Sequence, residues 1–322
     1  MYMRGDEFPE ELVMRLKRAQ KLRYGENPHQ NAALYVVDSE THGVAQAKQL
    51  QGKELSYNNI NDADAALDCL AEFKEPAAVI VKHMNPCGIA VGSDIYDAYT
   101  KALECDPLSA FGGIVALNRP LDVAMAEELV KIFLEVVIVP AADDAALKIM
   151  SAKPRVRVLV TPIPDAERTD MSIKSIAGGY LVQNRDNTIF DGELQVVSKR
   201  PPTESELAAM KFGFTVAKHV KSNAVVFAKD TATVGIGAGQ MSRIYSAKIA
   251  ALKAEEAKLS LQGAVMASDA FMPFSDCIEF AAEQGITAVI QSGGSIKDQD
   301  SIDAADKAGM AMVFTGIRHF KH

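Results

Sequence analysis

Short apolar runs alternate with amphipathic stretches along this chain. The runs at 77–83 (AAVIVKH), 113–117 (GIVAL), 136–140 (VVIVP), 156–160 (VRVLV), 223–229 (NAVVFAK), 264–268 (AVMAS), 288–290 (AVI) and 312–315 (MVFT) have the length and content of buried strands. Helical periodicity marks 62–73, 122–133 and 204–221, and a further helix is expected from about Ser242 to Lys258. This alternation predicts an α/β architecture, with helices on both faces of a sheet. The stretch 161–199, rich in Pro, Asp, Ser and Gly, reads as irregular. A domain boundary is placed there, separating 1–165 from 166–322.

A faint internal repeat accompanies the pattern. Segments 78–92 (AVIVKHMNPCGIAVG) and 224–239 (AVVFAKDTATVGIGAG) share a layout: an apolar strand ending in a basic residue, a polar turn, then a Gly-punctuated strand. They begin 146 residues apart, about one domain. Two related α/β domains in tandem would explain this. So would the general likeness of buried hairpins.

A chain of 322 residues buries a core without staples, and two domains fit its length. The formal net charge of −8 argues against a general nucleic-acid surface. Anionic ligands would therefore have to be held by a few local Arg and Lys residues. Cys69, Cys87, Cys105 and Cys277 are scattered without a CxxC pair, which indicates neither a zinc site nor a disulfide framework. Free thiols suit a cytoplasmic location. The opening MYMRGDEFPEEL contains no apolar leader, and no run is long enough for a membrane helix.

Several segments bear polar groups that chemistry could use. Lys82-His83 ends the most apolar strand of the first half, where α/β sites commonly lie. A His there can act as a base, and a neighbouring ammonium can stabilise an oxyanion. A plain surface pair is the alternative. The sequence 235–243 (GIGAGQMSR) joins a strand to a helix; its glycines admit a ligand to the backbone, or simply make a tight turn capped by Ser242. Phe271 and Phe274, in SDAFMPFSD, could sandwich a flat heterocycle or plug the base of a helix. Near the start, Arg23 in RYGENPHQ could clamp a phosphate or belong to an ordered loop. The basic ending TGIRHFKH alone would be read as frayed.

Taken in order, LRYGENPHQ, GKELSYNNINDADAAL, VKHMNPCGIAVG, DPLSAFGGIVALNR, VKSNAVVFAK, GIGAGQMSR, ASDAFMPFSD, IQSGGSIKD and IRHFKH resemble the transformylase region of the bifunctional aminoimidazole-carboxamide ribonucleotide (AICAR) formyltransferase/IMP cyclohydrolase family. They run from about residue 20 to the C-terminus. The resemblance implies two tandem cytidine-deaminase-like α/β/α domains and a homodimer with active sites at the subunit interface. It implies transfer of a formyl group from 10-formyltetrahydrofolate, a co-substrate, to the 5-amino group of AICAR, with no metal required for the chemistry.

The resemblance also assigns residues. The catalytic set falls on Lys82, His83 and Asn223. Arg23, Tyr24, Gly112, Glu135, Arg243, Phe271, Arg318 and His322 would face the nucleotide. Ile244, Asp276, Ser295 and Ile296 would face the folate. The tail thereby becomes a site element. Met272 and Ser275 depart from the FFPFRD form of the loop, and Glu135 stands where an Asp occurs in relatives. Only about 20 residues precede LRYGENPHQ, so a stand-alone transformylase or a fragment is expected, without cyclohydrolase activity.

Two rivals remain. A zinc deaminase needs H-x-E and P-C-x-x-C motifs; Pro86-Cys87 is followed by Gly88-Ile89-Ala90, and no H-x-E exists. A non-catalytic nucleotide- or folate-binding fragment is the other. The presence of Lys82, His83 and Asn223 argues against it.

Overall fold

The computed structural model describes residues 8–37 and 42–322. The first seven residues, part of the opening read above for a leader, lie outside the described residues. In chain order the strands are β1 (Lys17–Leu22), β2 (Ala32–Val36), β3 (Lys48–Gln51), β4 (Ala77–Lys82), β5 (Asn85–Val91), β6 (Ile114–Leu117), β7 (Val136–Val139), β8 (Arg157–Val160), β9 (Ser172–Ile176), β10 (Gly179–Gln183), β11 (Gln195–Val196), β12 (Val225–Lys229), β13 (Ala232–Gly237), β14 (Val265–Ser268), β15 (Ala288–Gln291) and β16 (Ala311–Phe314). The helices are α1 (Tyr57–Leu70), α2 (Ile95–Cys105), α3 (Pro107–Ala110), α4 (Val123–Leu129), α5 (Asp144–Met150), α6 (Glu204–Ala217), α7 (Arg243–Glu256), α8 (Asp276–Glu283) and α9 (Asp298–Lys307).

One 12-stranded mixed sheet runs β11-β16-β15-β14-β12-β13-β5-β4-β6-β7-β8-β3. Its pairing repeats. β4 lies antiparallel between β5 and β6, and β6, β7 and β8 are parallel. Likewise β12 lies antiparallel between β13 and β14, and β14, β15 and β16 are parallel. The halves meet where Ala232 of β13 pairs with Ala90 of β5, antiparallel. The repeat seen in the sequence is thus a repeat of strand order, and the two copies run in opposite directions across the seam.

The central strands are apolar throughout because both faces are covered. Val79 and Val81 face a core shared with Leu67 and Leu70 of α1 and with Phe214 of α6. Their neighbours Ala78 and Ile80 face Tyr99 of α2 and Met125 of α4. In the second half, Val226 joins the first of these cores, while Phe227 packs with Ala250 of α7 and Ile278 of α8. The result is α/β with helices on both faces, as expected.

Local signals set the helix starts. Ser56 and Asn59 form a reciprocal capping box on α1, and Thr203 and Glu206 form one on α6. Asp94 and Asp122 cap α2 and α4. Ser242 does stand at the start of α7, but its side chain makes no cap bond. Glycines allow α2 and α7 to lie close on the sheet: a Cβ at Gly88 would fall 1.9 Å from the Ala102 carbonyl oxygen, and one at Gly237 would fall 1.8 Å from that of Ser246.

The stretch 161–199 is less irregular than its composition suggests. It holds the β9–β10 hairpin and β11, which pairs with β16 at the sheet edge. Both hairpin strands are largely exposed, so they carry no apolar alternation to betray them.

Candidate active site

The register brings one end of the sheet together. Lys82 pairs with Asn85 in the β4–β5 hairpin, and Val81 pairs with Ile114, so β6 begins beside the turn. β7 begins there too, because Ile114 pairs with Val136. Across the seam the directions reverse: Val225 pairs with Gly237 and with Ser268. The beginning of β12 and the ends of β13, β14, β15 and β16 therefore lie at the same end as the turn. Lys82, His83, Gly112 and Glu135 are thus placed at that end with Asn223, Arg243, Phe271, Ser295, Ile296 and Arg318.

The turn itself has unusual backbone. His83 and Met84 adopt φ of 51° and 62°. Two positive values suit a two-residue hairpin connection, where Asn-Gly is favoured and bulkier residues cost on the order of 1–3 kcal/mol each. Fixed groups hold it: the Met84 N–H donates to Asp62 Oδ1 at 2.8 Å, and Asn85 Nδ2 donates to the His83 carbonyl at 3.2 Å. His83 is exposed. Lys82 Nζ donates to the Phe111 carbonyl at 2.7 Å. Gly112, at φ 69°, makes room for it, since a Cβ there would stand 3.1 Å from Nζ.

Asn223 follows a cis peptide after Ser222. Its N–H and its Nδ2 both donate to the Gln240 carbonyl, at 3.1 and 2.9 Å, and its own carbonyl accepts from Ser246 Oγ. Next to it lies Asp269, fully buried and absent from the residues singled out by sequence. Asp269 accepts from Ser222 Oγ, from the Ala224 N–H at 3.2 Å and from Arg243 Nη2 at 3.0 Å, and its carbonyl accepts from the His319 N–H at 2.8 Å. An acid buried directly after an apolar strand was the signal available, because a buried charge demands such partners. Arg243 also donates to the Phe271 carbonyl at 2.9 Å, while its buried Nε has no partner among the described residues.

The tail is ordered. The His319 ring is buried, with Nδ1 2.6 Å from an Asp186 oxygen and Nε2 3.1 Å from the Ile189 carbonyl. The Lys321 carbonyl accepts from the Ser222 N–H at 2.9 Å. Arg318 is exposed, with its guanidinium 4.5 Å from the Phe320 ring centre, and His322 is exposed. A cavity of about 270 Å³ opens beside Phe320, Lys321 and His322; none of Lys82, His83 and Asn223 lines it.

Most of the other expected residues have partners of their own or are exposed. Arg23 is exposed and lies over the Tyr24 ring. Glu135 is engaged by Arg157 at 2.6 Å. Asp276 accepts from the Cys277 N–H, the Ser295 N–H donates to Asp298, and Ile244 is half-buried at the start of α7. Ile296 projects fully into solvent. The four cysteines are free and buried, and among the described residues no cluster of His, Cys, Asp and Glu is arranged to hold a metal ion. No helix among them is long and apolar enough to cross a membrane.

The family model described as AICARFT/IMPCHase bienzyme matches residues 1–253. The chain belongs to that family. It is similar to the bifunctional purine biosynthesis protein PurH of Rhodospirillum rubrum, 57% identical over 99% of this chain and 62% of the relative. The PurH proteins of Cereibacter sphaeroides and Bradyrhizobium diazoefficiens are 56% and 55% identical over 94% and 95% of this chain, and 60% of each relative is covered. The chain thus spans about three fifths of the length of these family members.

Proposed function

We propose that the chain is an AICAR formyltransferase of purine biosynthesis, taking the formyl group from 10-formyltetrahydrofolate. The observation that carries this reading is the gathering of Lys82, His83, Asn223 and Arg243 at one end of a single sheet. Arg23, Tyr24, Gly112, Glu135, Arg243, Phe271, Arg318 and His322 serve the nucleotide. Ile244, Asp276, Ser295 and Ile296 serve the folate. The repeated strand order supports two tandem cytidine-deaminase-like domains, divided near residue 165, and the enzyme works in the cytoplasm.

The acceptor amine is a poor nucleophile, because its lone pair is delocalised into the ring and the carboxamide. His83, exposed on its turn, takes the amine proton as the C–N bond forms. Lys82 and Asn223 stabilise the negative charge that develops on the formyl oxygen, the first by charge and the second through its amide donor. Lys82 or the His83 imidazolium then returns a proton to the departing nitrogen.

The enzyme works as a homodimer whose sites form between subunits. Support comes from apolar side chains left in solvent near this end: Phe111, Met241 and Tyr245 are 59%, 95% and 60% exposed. The dyad stands on an open face, which a second subunit would enclose.

Incubating the chain with both substrates, and following tetrahydrofolate by absorbance and formyl-AICAR by chromatography, tests the reading. Turnover supports it. Nucleotide binding without turnover would favour a non-catalytic binding fragment instead.

A further inference from the structure

We propose that Asp62 is a positioning residue for formyl transfer, gripping the backbone of the His83–Met84 turn and so fixing the direction in which Lys82 and His83 leave the sheet. The inference rests on the formyl-transfer reading above and names a residue that reading does not use.

Asp62 lies in α1, on the face of the sheet opposite α2, and is half-buried. Its Oδ1 accepts the Met84 N–H at 2.8 Å. This bond is made at the centre of a turn in which two consecutive non-glycine residues hold positive φ. Such a turn relaxes unless its surroundings determine it. Asn85 restrains the turn from the other side, through its bond to the His83 carbonyl. Asp62 alone among these groups anchors the turn to a helix, and α1 is fixed by its capping box and by Ala63, Ala66, Leu67 and Leu70 in the core.

The carboxylate costs something to keep there. Burial pushes the Asp62 pKa up, and the Met84 N–H, the His83 side chain and backbone and the Lys82 ammonium only partly offset it. Ala63, Ala65 and Ala66 of the same helix carry no such cost. An acid at this position is explained by what it holds. A base displaced by about 1 Å from its attack geometry loses on the order of 10²-fold in rate, so a loose turn should show in turnover rather than in binding.

The test compares Asp62→Ala with Asp62→Asn in the full chain. Asn retains a carbonyl oxygen that can accept the Met84 N–H; Ala retains nothing. Turnover is expressed per nucleotide site, with sites counted by the stoichiometry of AICAR binding in calorimetry, so that loss of folded protein does not enter. The expected result is a loss of about 10-fold or more in turnover per site for Asp62→Ala, with AICAR affinity nearly unchanged, and recovery to within about 3-fold of wild type in Asp62→Asn. Wild-type-like turnover per site in Asp62→Ala overturns the proposal, and so does Asp62→Asn falling as low as Asp62→Ala, since the hydrogen bond would then not be the agent. If Asp62→Ala does not fold, Asp62→Asn still decides: a large loss per site overturns the proposal, and near-wild-type turnover supports it. An inactive wild-type chain would instead sink the formyl-transfer reading.

Discussion

The Lys221 N–H donates to Oδ1 of Asn85 at 3.0 Å, joining residues 136 positions apart. Asn85 stands beside the His83 turn, and Lys221 lies two residues before Asn223. A single side chain therefore ties the dyad of the first sheet half to the asparagine of the second. It adds to the seam itself, where Ala90 pairs with Ala232 and where Thr231 and Thr233 bond to Val91 and Ile89.

Asn85→Ala removes both of its bonds and leaves the Lys221 N–H without that partner. It should cost about 1–3 kcal/mol of stability and lower turnover while leaving AICAR affinity nearly intact. Thermal unfolding and steady-state kinetics measure the two. An unchanged melting temperature with full activity would show that the seam holds without it.

His83→Ala should reduce turnover by on the order of 10²-fold or more, the scale for losing a general base. Lys82→Ala should also reduce it strongly. Lys82→Arg separates charge from proton transfer, because Arg keeps the charge, is bulkier and does not give up a proton. With Gly112 adjacent to Nζ, the larger head should fit poorly and activity should stay low. Steady-state kinetics with calorimetric AICAR binding tests the set; severe loss of binding in His83→Ala with the maximal rate intact would make His83 a binding residue.

Gly88→Ala should destabilise the chain by about 3 kcal/mol or more, since overpacking a rigid contact shifts backbone. The added Cβ would meet the Ala102 carbonyl oxygen of α2 at 1.9 Å. Denaturant unfolding gives the value, and a change under about 0.5 kcal/mol would mean that α2 can retreat.

Stability should fall on acidification in part through Glu206. Burial pushes this carboxyl up, but the two-bond pairing with Arg200 and the Thr203 N–H outweigh it and hold the pKa at about 2, against 4.5 ordinarily. The folded-state value is depressed, so the contribution is full above about pH 4.5 and is lost as pH falls towards 2. Glu206→Gln should lower the melting temperature at neutral pH and flatten its fall across that window. A parallel acid limb in both proteins would contradict the assignment.

The apolar runs determined the sheet. Where strands are covered on both faces, as at 77–83 and 136–140, burial demands unbroken hydrophobic sequence, and the strands lie within a residue or two of where the pattern puts them. The repeat was legible for the same reason. The exposed β9–β10 hairpin was not, because a ribbon wet on both sides imposes no pattern. Lys82 and His83 stood out because they end an apolar strand. Asp62 and Asp269 did not, since an acid in a helix or after a strand looks ordinary until its partners are known. Which of the candidate residues lie at one end of the sheet was decided by the tertiary structure. The antiparallel seam reverses the second half, so that the beginning of β6 and the end of β14 lie at the same end of the sheet, and no local pattern encodes a pairing between Ala90 and Ala232.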